Sequence, residues 1–316
     1  MPTPSALLGE QAVANRTALK TVHKVVTCWS HDLCKDALLN MTSHNLMSLP
    51  VYKDKEQTTL VGCVDMIDMV AMVIKMHDGT KGFPSALRYA QEMQEWKELI
   101  VQQAMHQKKQ KAVTMEEGGT FASVVRLLID NHVHRVLVQN SDGGLVDIIT
   151  QSDVVNALHE NLNRVDLAYL NRKISQFACI EECDHAPFVV DKNAMAIEAF
   201  HIINDHNVSA VPVVDKEDGN KLLGTISVRD IRTLSNDGDF PKVLYVHTAE
   251  AFCAKLHARV DTKAPLAASL QLHNTFRDAV ELLHKYKIHR VWICDKEFKV
   301  IHVLSLYNIL TEAVDR

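Results

Sequence analysis

The stretch VHRVLVQNSDGGLVDIITQSD, residues 133–153, decides the fold, because the chain repeats its pattern as IHRVWICDKEFKVIHVLSLYN, residues 288–308. Each copy has a His-Arg pair, an apolar segment, a polar turn, a second apolar segment, and a hydroxyl residue followed three positions later by Asp or Asn. Two apolar segments joined by a short polar turn predict a β-hairpin. The residues after each hairpin are helix-like, so both copies predict strand, turn, strand and helix.

Two other parts of the chain share enough of this pattern to count as further copies. The apolar strand that follows small or basic residues occurs in HNLMSLPVY (44–52), NHVHRVLVQ (131–139), NVSAVPVVD (207–215) and KIHRVWICD (287–295). Subtracting residue numbers gives spacings of 87, 75 and 80 between the equivalent residues Pro50, Leu137, Pro212 and Trp292. Counted from these four residues, Asp68, Asp153, Asp230 and Asn308 follow 18, 16, 18 and 16 positions further on, just after the second strand of each copy. Spacing this regular indicates a fourfold internal repeat.

Each copy contains the same predicted elements. The segment MAIEAFHIINDHN, residues 195–207, places apolar residues on one face of an amphipathic helix ahead of the third hairpin. We therefore predict an α/β fold in which a short strand, a helix, two strands and a second helix make one repeat. Repeats of this size tend to pair, and four of them predict two tandem pairs. The predicted boundaries are 17–78 for repeat 1, 79–112 for a helical connection, 113–162 for repeat 2, 172–236 for repeat 3 and 258–316 for repeat 4.

Composition argues against several classes of partner. The 316 residues carry a formal net charge of −5 and are 47% hydrophobic, which is typical of a globular protein with buried cores. Proteins that coat nucleic acid or anionic membrane need a positive face, so we expect neither partner. The seven cysteines lack a metal-binding spacing, and their odd number fits a disulfide framework poorly. Because we find neither a signal peptide nor a membrane-spanning stretch, we expect a protein of the cytoplasm, with the nucleus as a second location.

The repeats resemble cystathionine-β-synthase (CBS) domains. Four copies in register, His-Arg before the strand in repeats 2 and 4, and Ser-Ala-Val-Pro-Val-Val (209–214) in repeat 3 resemble the gamma subunit of AMP-activated protein kinase and its plant gamma-like relatives. The resemblance covers most of the chain from about Thr17 onward, including the helical insertion after repeat 1. It implies two tandem CBS pairs (Bateman modules) in a disc-like arrangement, with adenine nucleotides bound between repeats.

The motifs Thr150-Gln-Ser-Asp153 and Ser227-Val-Arg-Asp230 allow two interpretations. As structure, a hydroxyl residue with an acid three positions later is a capping box, which satisfies the N–H groups at a helix start. As function, the same carboxylate can accept hydrogen bonds from both hydroxyls of a ribose. The resemblance implies the second role, with Asp230 and Asp153 holding ribose and with Ser227 and Thr150 reaching ribose or phosphate.

Repeats 1 and 4 depart from this motif. Repeat 1 has Asp65-Met-Ile-Asp68, so a second carboxylate replaces the hydroxyl and would repel a phosphate, although Asp68 can still hold a ribose. Repeat 4 has Ser305-Leu-Tyr-Asn308, whose amide can bond a hydroxyl without the strengthening of a charge. We rank the four ribose positions as Asp230, Asp153, Asp68 and then Asn308. The resemblance also argues against the second rank of Asp153, because the familiar gamma subunits carry a basic residue at this position of repeat 2 and leave that site empty.

The pairs His134-Arg135 and His289-Arg290 are the second group of candidates. A histidine packed at a strand start beside a surface arginine is a common structural arrangement. Because the pairs occur at equivalent places, they indicate a phosphate site, where arginine offers a permanent charge and a fork of donors matched to phosphate oxygens. The resemblance implies that they converge on phosphates at a central channel. Met47 stands where the gamma subunit has an arginine, so we expect weaker binding or a preference for less phosphorylated ligands.

The sequence contains none of the familiar catalytic motifs G-x-x-x-x-G-K-[ST], strand–G-x-G-x-x-G–helix, H-E-x-x-H and G-x-S-x-G. The predicted function is regulatory and non-enzymatic, with AMP, ADP or ATP as ligand and without a metal or cofactor. The resemblance implies, as partners, a catalytic alpha-type subunit and a scaffolding beta-type subunit of a Ser/Thr protein kinase. Two alternatives stay open: a CBS scaffold with degenerate, non-nucleotide-binding sites, and an enzyme or the detached regulatory half of one.

Overall fold

The computed structural model describes residues 2–10, 25–56, 59–77, 94–95, 97–105, 112–182, 186–235, 240–259 and 265–314. Within these ranges each repeat contains a short strand, a helix, a hairpin of two strands and a second helix, in the predicted order. Most of the helical connection predicted over 79–112 lies outside the described residues, and so does the predicted start of repeat 1. Among the helices that the structure describes, none combines the length and the apolar content needed to cross a membrane.

The helices and strands follow one another along the chain with these bounds. Helix α1 (Pro4–Glu10) precedes repeat 1, which contains β1 (Cys28–Trp29), α2 (Cys34–Ser43), β2 (Ser48–Tyr52), β3 (Leu60–Asp65) and α3 (Met66–His77). After α4 (Val101–Met105), repeat 2 contains β4 (Thr114–Glu116), α5 (Phe121–Asp130), β5 (Arg135–Gln139), β6 (Leu145–Thr150) and α6 (Gln151–Glu160). After α7 (Leu167–Leu170) and α8 (Ala178–Glu181), repeat 3 contains β7 (Val190–Asp191), α9 (Ala196–Asp205), β8 (Ala210–Asp215), β9 (Lys221–Ser227) and α10 (Asp230–Ser235). After α11 (Phe240–Val246) and α12 (Ala249–Arg259), repeat 4 contains β10 (Ser269–Leu270), α13 (Phe276–Tyr286), β11 (Arg290–Cys294), β12 (Val300–Ser305) and α14 (Leu306–Ala313).

Each repeat forms one three-stranded sheet with the same topology. The short first strand runs parallel to the middle strand, and the middle strand pairs antiparallel with the last one, as in β1, β2 and β3. The middle strands are largely buried, with every residue of β2 covered. A strand covered on both faces needs a continuous apolar run, which explains why the sequence shows no alternation there. The predicted α/β fold of four repeats is confirmed.

The first helix of every repeat ends in the same backbone turn. Residues in the left-handed region, with φ between 50° and 55°, follow these helices at Asn45, His132, Asn207 and Lys287. The next N–H then donates to the carbonyl five residues earlier, as from Leu46 to Met41 at 2.7 Å. This bond satisfies a carbonyl at the helix end and turns the chain toward the middle strand. The same turn therefore recurs at equivalent positions of all four repeats.

The chain forms two compact units, and each unit contains two repeats that are not consecutive in sequence. Unit 1 comprises Met1–Val25, Ala112–Pro187 and Lys263–Arg316, which include repeats 2 and 4. Unit 2 comprises Val26–Lys111 and Phe188–Thr262, which include repeats 1 and 3. The helices of both repeats pack together inside each unit, for example α6 on α14 in unit 1 and α2 on α10 in unit 2. Tandem pairing of consecutive repeats and the disc-like arrangement stay predictions.

The core of unit 1 includes helices with equivalent apolar faces. In α5 the buried residues are Phe121, Val124, Val125 and Leu128. In α13 they are Phe276, Ala279, Val280 and Leu283, at the same positions i, i+3, i+4 and i+7. That spacing places four side chains on one face of a helix, and burying each large one stabilises the unit by roughly 1.5–3 kcal/mol.

The segment between repeats 2 and 3 is an integral part of unit 1. Arg172 forms an ion pair with the buried Glu312 of α14, with 2.8 Å between Nη1 and Oε2. The backbone N–H of Ala178 donates to the other carboxylate oxygen of Glu312 at 2.7 Å. Arg172 and Ala178 both lie within the connecting segment 162–182, so residues that follow repeat 2 hold the last helix of repeat 4.

Two histidines stack across the helix contact of unit 1. The rings of His159 in α6 and His284 in α13 lie 3.7 Å apart between centroids, with an angle of 8° between their planes. His284 Nδ1 lies 2.9 Å from Asn156 Oδ1. Burial lowers the pKa of His284, the neighbouring His159 lowers it further, and Glu160 opposes this effect. The surroundings of His284 therefore favour its neutral form.

We expect unit 1 to lose stability in mild acid. Because the pKa of His284 is lower in the folded state, its stacking contribution is present above the ordinary histidine pKa of about 6.5 and is lost as the pH falls below it. The substitution His284→Gln should flatten the pH dependence of the unfolding free energy by on the order of 0.5 kcal/mol between pH 8 and pH 5.5, since solvent screens this part-exposed pair. Urea unfolding at both pH values measures this difference.

The exposed His273 provides a matched control. His273→Gln removes an imidazole from the same repeat without touching the stack, so the slope of stability against pH should follow that of the wild type. If stability changed with pH equally in the wild type, His284→Gln and His273→Gln, the expected contribution of His284 would be wrong.

Candidate functional site

The register of each hairpin brings the two predicted motifs to one end of the sheet. In repeat 2, Arg135 at the start of β5 lies opposite Thr150 at the end of β6. In repeat 4, Arg290 lies opposite Ser305 in the same way. Residues paired across an antiparallel ladder are about 4.5–5.5 Å apart at Cα. An arginine and the hydroxyl residue of the following motif therefore share one edge of each of these sheets.

A backbone hydrogen bond joins the histidines to the helix that follows. The carbonyl of His134 accepts from the N–H of Gln151 at 3.2 Å, and the carbonyl of His289 accepts from the N–H of Leu306 at 3.0 Å. The same bond recurs in unit 2 between Met47 and Met66 and between Ser209 and Val228, at 3.1 Å in both. It holds the start of the middle strand against the first turn of the last helix in all four repeats.

The two His-Arg pairs belong to the same unit. The side chain of His134 is exposed, and those of Arg135, His289 and Arg290 are half-buried. Each of the four takes part in at least one polar or electrostatic interaction. A histidine packed under its strand, which is the structural interpretation of the pair, does not describe the exposed His134. The phosphate role of the four residues stays a prediction.

The Thr150–Asp153 and Ser305–Asn308 motifs are both helix caps. Asp153 Oδ2 accepts from the N–H of Thr150 at 2.8 Å and from its hydroxyl at 2.6 Å. Asn308 Oδ1 accepts from the N–H and hydroxyl of Ser305 at 2.9 and 2.6 Å. Each hydroxyl oxygen in turn accepts from the backbone N–H three residues later, at 3.3 Å. The cap holds the acid or amide side chain in one position. A ribose site would also need an acceptor that is held in position.

Repeat 1 makes its cap with two acids. Asp68 Oδ2 accepts from the N–H of Asp65 at 2.8 Å, while Asp65 Oδ1 accepts from the N–H groups of Ile67 and Asp68 at 2.9 and 3.1 Å. The two residues are 6% and 5% exposed. By surface exposure Asp68 is thus less open to a ligand than Asp153 and Asp230, which are half-buried.

The acid of repeat 3 lies in a different electrostatic setting. Asp230 Oδ2 accepts from the N–H and hydroxyl of Ser227 at 2.6 and 3.1 Å. Burial raises the pKa of Asp230 to about 6, against the cap bonds and the charges of Arg229 and Arg232, which lower it. Burial also lowers the pKa of Arg232 to about 10, with help from the like charge of Arg229. At neutral pH the carboxylate is thus ionised, but at a cost to the folded state.

Arg229 and Arg232, which flank Asp230 in the sequence, are not among the predicted site residues. Arg232 Nη1 donates to Asn45 Oδ1 at 2.8 Å and to the carbonyl of Leu46 at 3.3 Å, so a side chain of repeat 3 contacts repeat 1. A position-by-position comparison of the repeats could have found them, because the equivalent residues elsewhere are apolar, aromatic or serine. Their contact with Asn45 could not have been found in this way, since it spans 187 residues.

In the part of the chain that the structure describes, buried cysteines and metal-binding residue types form no second candidate site. Burial is the largest cause that raises the pKa of Cys28, Cys34 and Cys253 to about 12, so these thiols stay protonated at neutral pH. Within the described ranges, no group of three or more His, Cys, Asp and Glu residues is arranged to hold a metal ion. The candidate site residues in the described ranges are therefore those at the sheet ends.

Comparison with known proteins agrees with this repeat geometry. The family model for the CBS domain matches residues 19–75, 105–160, 180–237 and 265–315. The chain is a member of the CBS domain family. The four matches include the hairpin and the capped helix of each repeat, so the sheet ends described above are parts of CBS domains.

Several relatives of this CBS protein are subunits of a kinase. It is 23% identical over 306 residues to the gamma-3 subunit of 5'-AMP-activated protein kinase from Bos taurus, covering 94% of this chain and 57% of the relative. It is 26% identical over 173 residues to inosine-5'-monophosphate dehydrogenase from Methanocaldococcus jannaschii, covering 52% of this chain and 31% of that enzyme. The chain thus spans less than two thirds of the length of these curated relatives.

A solved structure shares the fold over nearly the whole chain. It is a Methanocaldococcus jannaschii protein described as a candidate archaeal homologue of γ-AMPK, with a TM-score of 0.66 and 16% identity. The similarity covers 92% of this chain and 96% of the archaeal one. At this identity the likeness concerns the fold alone.

We expect Asp230→Asn to stabilise the protein at neutral and higher pH. Because the pKa of Asp230 is about 6 in the folded state and 3.8 in its ordinary state, ionisation of this acid opposes folding. The variant should gain about 1–2 kcal/mol of unfolding free energy at pH 8, and the gain should grow between pH 4 and pH 6 and then stay constant. Urea unfolding across this pH range measures it.

The protein itself supplies the structural control, since Asn308 already caps α14 with an amide. An asparagine at position 230 can accept the same two bonds from Ser227. Asp153→Asn serves as the matched variant in a repeat with the same cap. A loss of stability at pH 8 in Asp230→Asn would contradict the assigned ionisation.

Proposed function

We propose that this CBS protein is a gamma-like regulatory subunit that binds adenine nucleotides and reports their level to a Ser/Thr protein kinase. The observation that carries the proposal is the hairpin register in unit 1. It places Arg135 beside Thr150 and Arg290 beside Ser305, so a donor suited to phosphate and acceptors suited to ribose share one sheet edge. The similarity to gamma subunits along 94% of the chain supports the same proposal.

The chemistry of each group suits one part of a nucleotide. A carboxylate such as Asp153 or Asp230 accepts both ribose hydroxyls, and Ser227 and Thr150 can add a bond to ribose or phosphate. Arg135 and Arg290 offer bidentate, permanently charged donors to phosphate oxygens. His134 and His289 can donate to the same phosphate. Asn308 and Asp68 are the weaker ribose candidates, because one lacks a charge and the other is buried.

Regulation follows from the proposed binding by linkage. A nucleotide shifts an equilibrium between two arrangements of the protein by as much as its affinity differs between them. Partners of alpha and beta type that favour one arrangement would then sense the nucleotide. Regulation of this kind requires no catalytic residue on the chain itself, in agreement with the subunit role of its gamma relatives.

The second candidate is a CBS scaffold whose sites bind no nucleotide. The caps favour it, because the acid or amide of every motif already accepts hydrogen bonds from its own helix start. The two acids of repeat 1 and the amide of repeat 4 also lie outside the usual ribose motif. In this alternative the four motifs serve folding alone.

Calorimetric titration of AMP, ADP and ATP into the purified chain tests the proposal. We expect saturable binding, with AMP at least as tight as ATP because few positive charges are available for additional phosphates. Arg290→Gln should weaken AMP binding by about tenfold or more, since a charge-assisted hydrogen bond contributes about 1.5–3 kcal/mol. Asp230→Asn should weaken binding at the repeat-3 position in the same experiment.

Arg277→Gln is the control for the loss of a positive charge in repeat 4. Arg277 lies on the surface of α13, where it pairs with Glu281 at 3.4 Å, and its removal should leave AMP binding unchanged. Neither heat nor thermal stabilisation with any of the three nucleotides would leave the scaffold as the better explanation. Co-expression with an alpha-type and a beta-type kinase subunit then tests for a complex independently of nucleotide.

A further inference from the structure

The two units carry arginines at different positions around the ends of their sheets. In unit 1 the middle strands begin with Arg135 and Arg290, whereas the equivalent residues in unit 2 are Ser48 and Ala210. Unit 2 instead has Arg229 and Arg232 around the first turn of α10. Positions equivalent to these two arginines are uncharged in the other three repeats. The repeat-3 motif therefore has a local environment that the other copies lack.

Arg232 connects this motif to repeat 1. Its guanidinium donates to the side chain of Asn45 at 2.8 Å and to the backbone of Leu46 at 3.3 Å. Asn45 is the left-handed residue that ends α2, with φ of 55°, and Leu46 leads into β2. The contact thus joins the first turn of α10 to the turn from which the middle strand of repeat 1 begins.

Arg232 also belongs to the charged surroundings of Asp230. Among the described residues, the charged groups that shift the pKa of Asp230 are Arg229 and Arg232, both of which favour its ionised form. The charge of Asp230 in turn raises the pKa of the Cys253 thiol in α12. The contact from repeat 1 is through the neutral Asn45. Removing Arg232 therefore removes one of two cations that oppose the effect of burial on this carboxylate.

We infer that Arg232 is a positioning residue for the repeat-3 site: it clamps the first turn of α10 to the end of α2 and favours the ionised form of Asp230 that would accept a ribose. The ribose part of this inference rests on the proposed function, and the clamp does not. A ligand held by Asp230 is thereby tied mechanically to repeat 1 within unit 2. Repeat 1 needs no nucleotide of its own to respond to one bound at repeat 3.

A double-mutant cycle without ligand tests the clamp. Asn45→Gly removes the acceptor and keeps the left-handed backbone, which glycine adopts without strain. We expect Asn45→Gly to lower the folding equilibrium constant of the wild type by on the order of threefold to tenfold, but to change it little in the Arg232→Met background. Additive effects of the two substitutions, measured by urea unfolding, would overturn the clamp.

A second cycle tests the electrostatic role. Asp230→Asn should stabilise the Arg232→Met protein more than it stabilises the wild type at pH 8, by a further threefold to tenfold or so in the folding equilibrium constant. Arg232→Lys retains the charge and should restore the wild-type gain. An equal gain in all three backgrounds would show that Arg232 does not act on the charge of Asp230.

The pH profile of AMP affinity links both roles to binding. With Arg232→Met, the pH below which affinity falls should move upward, and with Arg232→Lys it should stay near that of the wild type. The phosphate of AMP also titrates near pH 6, but it does so equally for every variant. Parallel profiles for Arg232→Met and the wild type would overturn the positioning role. Absence of AMP binding by the wild type would defeat the proposed function alone, because the two ligand-free cycles still decide the clamp and the charge effect.

Discussion

Each repeat depends on one small junction, where the start of the middle strand is hydrogen-bonded to the first turn of the last helix. The backbone carbonyl before the middle strand accepts an N–H from that turn, and a side-chain cap closes the same turn. An N-cap interaction of this kind contributes about 1 kcal/mol, and leaving the N–H groups of a helix start buried without partners costs more. Apart from Arg135 and Arg290, the residues proposed to bind a nucleotide take part in this junction.

This coincidence means that folding and binding make compatible demands on the motif. A cap holds its carboxylate at a helix start, beside a strand edge, in one orientation. A ribose site needs an acceptor that is held in place before the ligand arrives, because ordering it on binding would reduce affinity. The four copies can therefore keep their caps while their capacity for ligands diverges, as the acid pair of repeat 1 and the amide of repeat 4 illustrate.

The environment beyond the cap sets the chemical differences between the copies. Asp68 and Asp230 accept similar bonds at their helix starts, but Asp68 lies beside a second acid, whereas the charges of two arginines act on Asp230. The arginines come from the same short segment as Asp230, yet Arg232 is placed by its contact with Asn45 in another repeat. A motif that is the same locally thus acquires distinct properties from its neighbours within the unit.

The sequence by itself determined the local structure of this protein. Hydrophobic periodicity, polar turns and capping residues act over a few positions, so the strand–helix–hairpin–helix repeat and its four copies could be predicted, as could the motifs at Thr150 and Ser305. Tertiary structure alone decided that repeats 2 and 4 share one core and repeats 1 and 3 the other. It also decided that Arg232 lies against Asn45. Both depend on contacts between residues far apart in the chain, which form where apolar helix faces complement one another in shape, and periodicity shows that such a face exists without showing which other face it packs against.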